Sequence, residues 1–122
     1  MYNYSANKCF EKEIHGDIVI EKMNISRATF REAEEFWKFI QTDIMSGWNK
    51  FIINMGPCEY IDSTFIGIMV NTFKLIDKSG GELKLADVHS EARAVLDITR
   101  ISEMFKIYSD TDSALKSFIE IK

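Results

Sequence analysis

The chain has 122 residues, of which 46% are apolar and 28% charged, and this length and composition predict one domain, residues 1–122, with a single hydrophobic core. Its formal net charge of −4, with acidic and basic residues interspersed, excludes the basic stripe by which proteins bind nucleic acid. The longest apolar run, residues 65–70, is far shorter than the ~20 residues that span a membrane, so no membrane insertion is expected.

The amino terminus and the two cysteines indicate a cytoplasmic protein. Residues 1–5 carry neither the basic nor the apolar region of a secretory signal. Cys9 and Cys58 are far apart and outside any paired spacing, which fits a reducing compartment and argues against a disulfide framework or a zinc site. We interpret both as small apolar residues; a solvent-accessible Cys58 thiol is the alternative.

Hydropathy patterning predicts two strands and one helix in the first part of the chain. Apolar residues on either side of a His-Gly-Asp turn at 15–17 indicate a β-hairpin. Thr29 and Glu32 have the spacing of a capping box, which predicts a helix over residues 29–45. The apolar stripe of this helix is formed by Phe30, Ala33, Trp37, Ile40 and Ile44.

The rest of the chain alternates between strands and helices. An apolar strand over residues 50–55 is stopped by Gly-Pro, and a helix follows over residues 63–78. The later elements are a strand at 82–86, a helix beginning at 89–91, a strand at 105–108 and a helix capped by Asp110 or Thr111. The order is therefore ββαβαβαβα, and each strand–helix–strand unit implies parallel pairing with a right-handed crossover.

Four motifs in this order resemble the STAS domain, specifically the bacterial anti-sigma factor antagonists. They are the strand Phe-Ile-Ile-Asn-Met at 51–55, the loop Tyr-Ile-Asp-Ser-Thr at 60–64 with Gly67 after it, the turn Gly-Gly-Glu-Leu at 80–83 and the segment Ala-Val-Leu-Asp-Ile-Thr-Arg-Ile at 94–101. The resemblance implies an α/β fold with a STAS-like mixed β-sheet and helices packed mainly on one face. It also implies a protein-binding regulator that is not an enzyme and needs no cofactor.

The resemblance further implies a phosphorylation site at Ser63, which directly follows Asp62. In phosphorylatable members of the family, this serine is modified by a serine kinase that is also the anti-sigma factor. The unphosphorylated protein sequesters this kinase and releases the sigma factor, and a phosphatase resets the switch. Thr64 is the fallback acceptor. From the residues alone, the alternative is that all three side chains only cap the following helix.

The sequence departs from the family pattern at two places, and both concern the partner surface. Phe65 stands where the family usually has glycine, so its ring either hinders a kinase or supplies an exposed hydrophobic contact. Met-Asn-Ile-Ser at 23–26 stands where the family often has a Gly-acid-Leu-Asp turn. A STAS adaptor or subunit of a transport or stress-sensing complex, without phosphorylation, is the alternative function. We assign partner binding to Asp62, Ser63, Thr64, Phe65 and Asn24.

The residue pattern gives no support to metal binding or catalysis. His15 and His89 lie in different predicted loops without a carboxylate or cysteine at ligand spacing, so no metal site is predicted. Glu34 and Glu35 are neighbours on a helix and point in different directions, which indicates a solvated face rather than an acid–base pair. A small-molecule or enzymatic role would require a polar pocket that the sequence does not reveal.

Overall fold

The computed structural model of the chain describes residues 9–119, and the long elements follow the predicted order. Residues 1–5, on which the prediction of no secretory signal rests, lie outside this range. The strands are β1 Phe10–His15, β2 Ile18–Met23, β3 Arg27–Ala28, β4 Lys50–Asn54, β5 Tyr60–Ile61, β6 Glu82–Ala86 and β7 Lys106–Tyr108. The helices are α1 Phe30–Met45, α2 Ser63–Lys78, α3 Ser90–Ile98 and α4 Thr111–Ile119, with a short 3₁₀ turn at Ile101–Glu103.

The main sheet has five strands in the order β1-β2-β4-β6-β7. β1 and β2 form the predicted antiparallel hairpin, and the other neighbours are parallel. Apolar residues of α1, α2 and α3 pack against one face of the sheet, whereas α4 packs against the other. The predicted mixed α/β sheet with helices mainly on one face is therefore confirmed.

Three phenylalanine rings connect the sheet to the two long helices. The ring of Phe36 on α1 lies 5.4 Å from Phe10 on β1 and 5.1 Å from Phe65 on α2, measured between centroids. All three side chains are buried, with at most 1% of their surface exposed. Aromatic contacts of this kind add stability beyond the area they bury. The rings therefore fix the position of α1 relative to α2.

Two short strands that the sequence analysis did not predict hold the helix starts together. β3 and β5 pair in parallel, with Arg27 opposite Tyr60 and Ala28 opposite Ile61. Each strand precedes one of the long helices by one residue, so their pairing places the starts of α1 and α2 side by side. Thr29 lies between β3 and α1 and forms the predicted capping box with Glu32.

The carboxylate of Asp62 joins these two helix starts directly. Its Oδ1 accepts a hydrogen bond from the N–H of Phe65 at 2.9 Å and thereby caps α2. Its Oδ2 accepts a hydrogen bond from the N–H of Phe30, the first residue of α1, at 2.8 Å. One side chain thus satisfies a free N–H group on each helix, at the positive end of both helix dipoles.

Replacement of Asp62 tests this double role. We predict that Asp62→Ala lowers the free energy of unfolding by about 1–3 kcal/mol, because two helix-start N–H groups lose their acceptor. Asp62→Asn keeps one acceptor oxygen and should lose about half as much. Urea denaturation measures both changes. Asp77→Ala, at an exposed position near the end of α2, is the control and should stay within about 0.5 kcal/mol of the wild type. A loss in Asp62→Ala no larger than in this control would contradict the double role.

Candidate functional site

Ser63 and Thr64 are the first two residues of α2, and both are exposed. The cap of this helix comes from Asp62, so neither hydroxyl is needed for it. Among residues 9–119, neither hydroxyl is engaged in a hydrogen bond with another residue. Asp62 therefore has the capping role considered from the sequence, whereas Ser63 and Thr64 keep their hydroxyl groups accessible to solvent.

A shallow depression lies beside Asp62, between the starts of α1 and α2. Two large aromatic side chains are exposed in it: Phe30 with 64% of its surface and Tyr60 with 42%. The prediction that Phe30 belongs to the core stripe of α1 is wrong, because the buried side of α1 is formed by Ala33, Phe36, Ile40 and Asp43, and the helical period places Phe30 to one side of it. The residues that line the depression are Arg27, Thr29, Phe30, Arg31, Glu32, Tyr60 and Asp62.

Two arginines line this depression, together with the two acidic residues Glu32 and Asp62. The guanidinium of Arg27 lies 4.3 Å from the centre of the Tyr60 ring, and that of Arg31 lies 5.5 Å from the Phe30 ring. Within the described part of the chain, neither arginine is in an ion pair with a carboxylate. Tyr, Arg and other residues with large flat side chains often dominate the binding energy of protein interfaces. We refer to Arg27, Phe30, Arg31, Tyr60, Asp62, Ser63 and Thr64 as the paired-start surface.

Phe65 is not part of this surface. Its side chain is fully buried and packs against Phe36 in the core. The expectation of an exposed hydrophobic contact at this position is therefore wrong, and so is that of a ring that hinders access to Ser63. The physical reason is the helical period: Phe65 lies on the same side of α2 as Met69, Thr72 and Ile76, all of which are buried.

Asn24 lies just beyond β2, where it is exposed. Its side-chain Nδ2 donates a hydrogen bond to Oε1 of Glu11 on β1 at 2.9 Å, and its backbone N–H donates to the Cys9 carbonyl at 2.7 Å. Two residues further on, the Ser26 carbonyl accepts a hydrogen bond from Tyr60 N at 3.2 Å. The loop is thus joined to the paired-start surface through its backbone, whereas the Asn24 side chain is directed to β1.

Cys58 and the two histidines each contact another residue of the fold. Cys58 is fully buried, its Sγ–H points to the Tyr60 carbonyl at 3.3 Å, and burial raises the pKa of its thiol. His89 caps α3 by accepting a hydrogen bond from Glu91 N, and His15 lies beside Glu13.

In residues 9–119, no group of three or more His, Cys, Asp and Glu side chains is placed to hold a metal ion. None of the helices in that range is both long enough and apolar enough to cross a membrane.

Sequence reasoning found Asp62, Ser63 and Thr64 but missed the four aromatic and basic residues of the paired-start surface. The two short strands that bring Arg27 and Tyr60 together have only two residues each, so they carry no hydropathy period. A weak signal exists in the alternation of aromatic and basic residues at Arg27, Phe30 and Arg31. That signal becomes specific only when the fold places Tyr60 next to it.

Comparison with known proteins identifies relatives of this fold. The sequence profile of the STAS domain matches residues 3–114. A candidate anti-sigma factor antagonist of Thermotoga maritima is 30% identical over 108 residues, which cover 88% of this chain and 95% of the relative. A crystal structure of a candidate anti-sigma factor antagonist from the same organism has a TM-score of 0.84 at 27% identity, covering 93% of this chain and 97% of that chain.

Two proteins of Bacillus extend the comparison. The anti-sigma-B factor antagonist of Bacillus subtilis is 33% identical over 58 residues, which are 48% of this chain and 53% of the relative. The Bacillus cell fate determinant SpoIIAA, in its phosphorylated form, has a TM-score of 0.70 at 16% identity and covers 89% of this chain, which is a likeness of fold. Since the STAS profile covers most of the sequence and the fold agrees with it, the chain belongs to the STAS domain family.

Proposed function

We propose that this STAS domain is a cytoplasmic anti-sigma factor antagonist whose partner is an anti-sigma serine kinase. In this proposal, the unphosphorylated domain binds the kinase through the paired-start surface and thereby frees a sigma factor. Phosphorylation of Ser63 by the kinase releases the domain from the kinase, and a phosphatase restores the form that binds. The domain acts by binding rather than by catalysis. The names of the relatives from Thermotoga and Bacillus support the assignment to anti-sigma factor antagonists.

The observation that carries the proposal is the accessible hydroxyl of Ser63 next to a surface rich in aromatic and basic residues. A kinase can reach this hydroxyl without opening the fold, because the helix cap is supplied by Asp62. Phe30 and Tyr60 expose apolar area beside it, which suits contact with a protein partner. Modification and docking would therefore take place on the same small area.

A phosphate on Ser63 would change the charge of this surface without removing a hydrogen bond or a buried side chain from the fold. It would bring a charge of about −1.5 to −2 next to the Asp62 carboxylate, with a repulsion of roughly 1–5 kcal/mol. The start of α2 would offset about 0.3–1 kcal/mol of this. An unpaired charge in an interface costs a few kcal/mol, and about 1.4 kcal/mol weakens binding tenfold. The phosphate thus acts mainly as a barrier to docking.

A constitutive adaptor remains the second candidate, and the exposed pair Phe30 and Tyr60 favours it. These rings offer a contact for a partner whether or not Ser63 is modified. The burial of Phe65 removes the contact that was expected for the adaptor at that position. The two candidates differ in one respect: only the switch requires the hydroxyl of Ser63.

Phosphorylation itself is tested by intact mass measurement and site mapping of the protein purified from its native host under growth and stress conditions. We predict one added phosphate on the wild type and none on Ser63→Ala. Thr64→Ala is the matched control, since it removes the neighbouring exposed hydroxyl, and it should keep the phosphate. An unmodified wild type in every condition, together with normal cellular behaviour of Ser63→Ala, would favour the adaptor. Phosphate lost only in Thr64→Ala would move the site to Thr64.

Docking is tested by calorimetric titration of the purified domain with the anti-sigma kinase of its host. We predict that Phe30→Ala and Tyr60→Ala each weaken binding about tenfold or more, because exposed aromatic anchors are lost from the interface. Thermal stability should hardly change, since both rings are exposed in the free protein. Met45→Ala, at the other end of α1 and 78% exposed, is the control and should bind normally. Unaltered affinity in both aromatic variants would place the interface elsewhere.

A further inference from the structure

Three charged side chains lie between the β1–β2 hairpin and α1. Lys12 and Glu21 are directly opposite each other on β1 and β2, and Asp43 comes from α1. The two acids are almost completely buried, with 1% of Glu21 and 2% of Asp43 exposed. The ammonium group of Lys12 donates a hydrogen bond to Oδ1 of Asp43 at 2.6 Å. Of the two buried carboxyl groups, that of Asp43 is paired with this cation.

The hydrogen bonds of this cluster are incomplete if both acids are ionised. Among the described residues, both carboxyl oxygens of Glu21 and Oδ2 of Asp43 have no hydrogen-bond partner. Carboxylates only accept hydrogen bonds, so neither acid can then satisfy the other. A buried charge without partners is costly, and proteins usually avoid it by changing the protonation state.

One proton would complete the cluster. If Glu21 is a neutral carboxylic acid, its O–H can donate to the free oxygen of Asp43. Lys12 and Asp43 then form a neutral ion pair, and no net charge remains buried. Burial raises the pKa of Glu21 well above its ordinary value, and the neighbouring Asp43 raises it further, whereas Lys12 opposes this. On the other side of Glu21, its partner in the register with β4 is the buried, apolar Ile53.

We propose that the folded protein holds one proton between Glu21 and Asp43, and that this buried pair is a pH-sensitive tie between α1 and the β1–β2 hairpin. The proposal is independent of the partner and of Ser63, because the cluster lies in the interface between α1 and the sheet. It gives the domain a stability that decreases as the proton is lost.

The sign of the pH dependence follows from the protonation of Glu21 in the two states. In the unfolded chain, Glu21 has the ordinary pKa of about 4.5, whereas in the folded protein its pKa is raised. The stabilising contribution is complete below about pH 4.5 and is lost as the pH rises through the folded pKa. Between these two pKa values, the folded protein keeps the proton and the unfolded chain has lost it. The folding equilibrium constant therefore falls by up to about tenfold per pH unit.

The test compares Glu21→Gln with the wild type in urea denaturation between about pH 5 and pH 9. Glutamine has the shape of the neutral acid and cannot lose the proton. We expect the folding equilibrium constant of the variant, relative to the wild type, to rise with pH by up to about tenfold per unit. Glu34→Gln, which removes an exposed carboxylate of α1, is the matched control and should follow the wild type. Parallel profiles of Glu21→Gln and the wild type would overturn the proposal.

Two further measurements keep the test decisive if Glu21→Gln does not fold. In the wild type, the side-chain carboxyl carbon of Glu21, followed by carbon-13 NMR, should titrate at higher pH than the exposed glutamates. Lys12→Met removes the cation that opposes protonation, so Glu21 should then keep its proton to a still higher pH. A Glu21 carboxyl group that titrates at the ordinary glutamate pKa of about 4.5 would overturn the proposal.

Discussion

The double hydrogen bond of the Asp62 carboxylate is the interaction on which the paired-start surface depends. Two helix starts, each with free N–H groups and a positive dipole end, lie side by side, so an anion between them is stabilising. Asp62 supplies it through Phe65 N and Phe30 N. Two further contacts hold α1 and α2 together. β3 pairs with β5 before the helix starts, and Phe36 contacts Phe65 in the core.

This arrangement separates structural residues from the proposed phosphorylation site among neighbours in the sequence. Asp62 caps the helix, Phe65 packs into the core, and Ser63 and Thr64 between them face solvent. A modification at Ser63 can therefore alter charge on the surface without removing a hydrogen bond or an apolar contact from the fold. The exposed rings and arginines at the start of α1 extend the same surface, so one partner could contact both helix starts.

The sequence predicts the regular elements well and the surface only in part. The continuous apolar run of β4 and the helical period of α2 are strong signals, and the capping box at Thr29 marks the start of α1. By contrast, a two-residue strand has no period, so the contact of Tyr60 with Arg27 could not be predicted. The apolar stripe of α1 is also wide, so its pattern did not show that Phe30 lies to one side of the buried residues Ala33, Phe36 and Ile40. The proton-binding pair Glu21 and Asp43 likewise depends on tertiary contacts between distant segments.

The most direct test of the central claim is an amide NMR comparison of the domain made with serine and with phosphoserine at position 63. If the switch is a change of surface, the altered resonances should be confined to the two helix starts and the strands before them, β3 and β5. The core around Phe36 and the sheet should keep their resonances. Changes that spread through the sheet and along α1 would show that phosphorylation reorganises the fold, and would contradict the account.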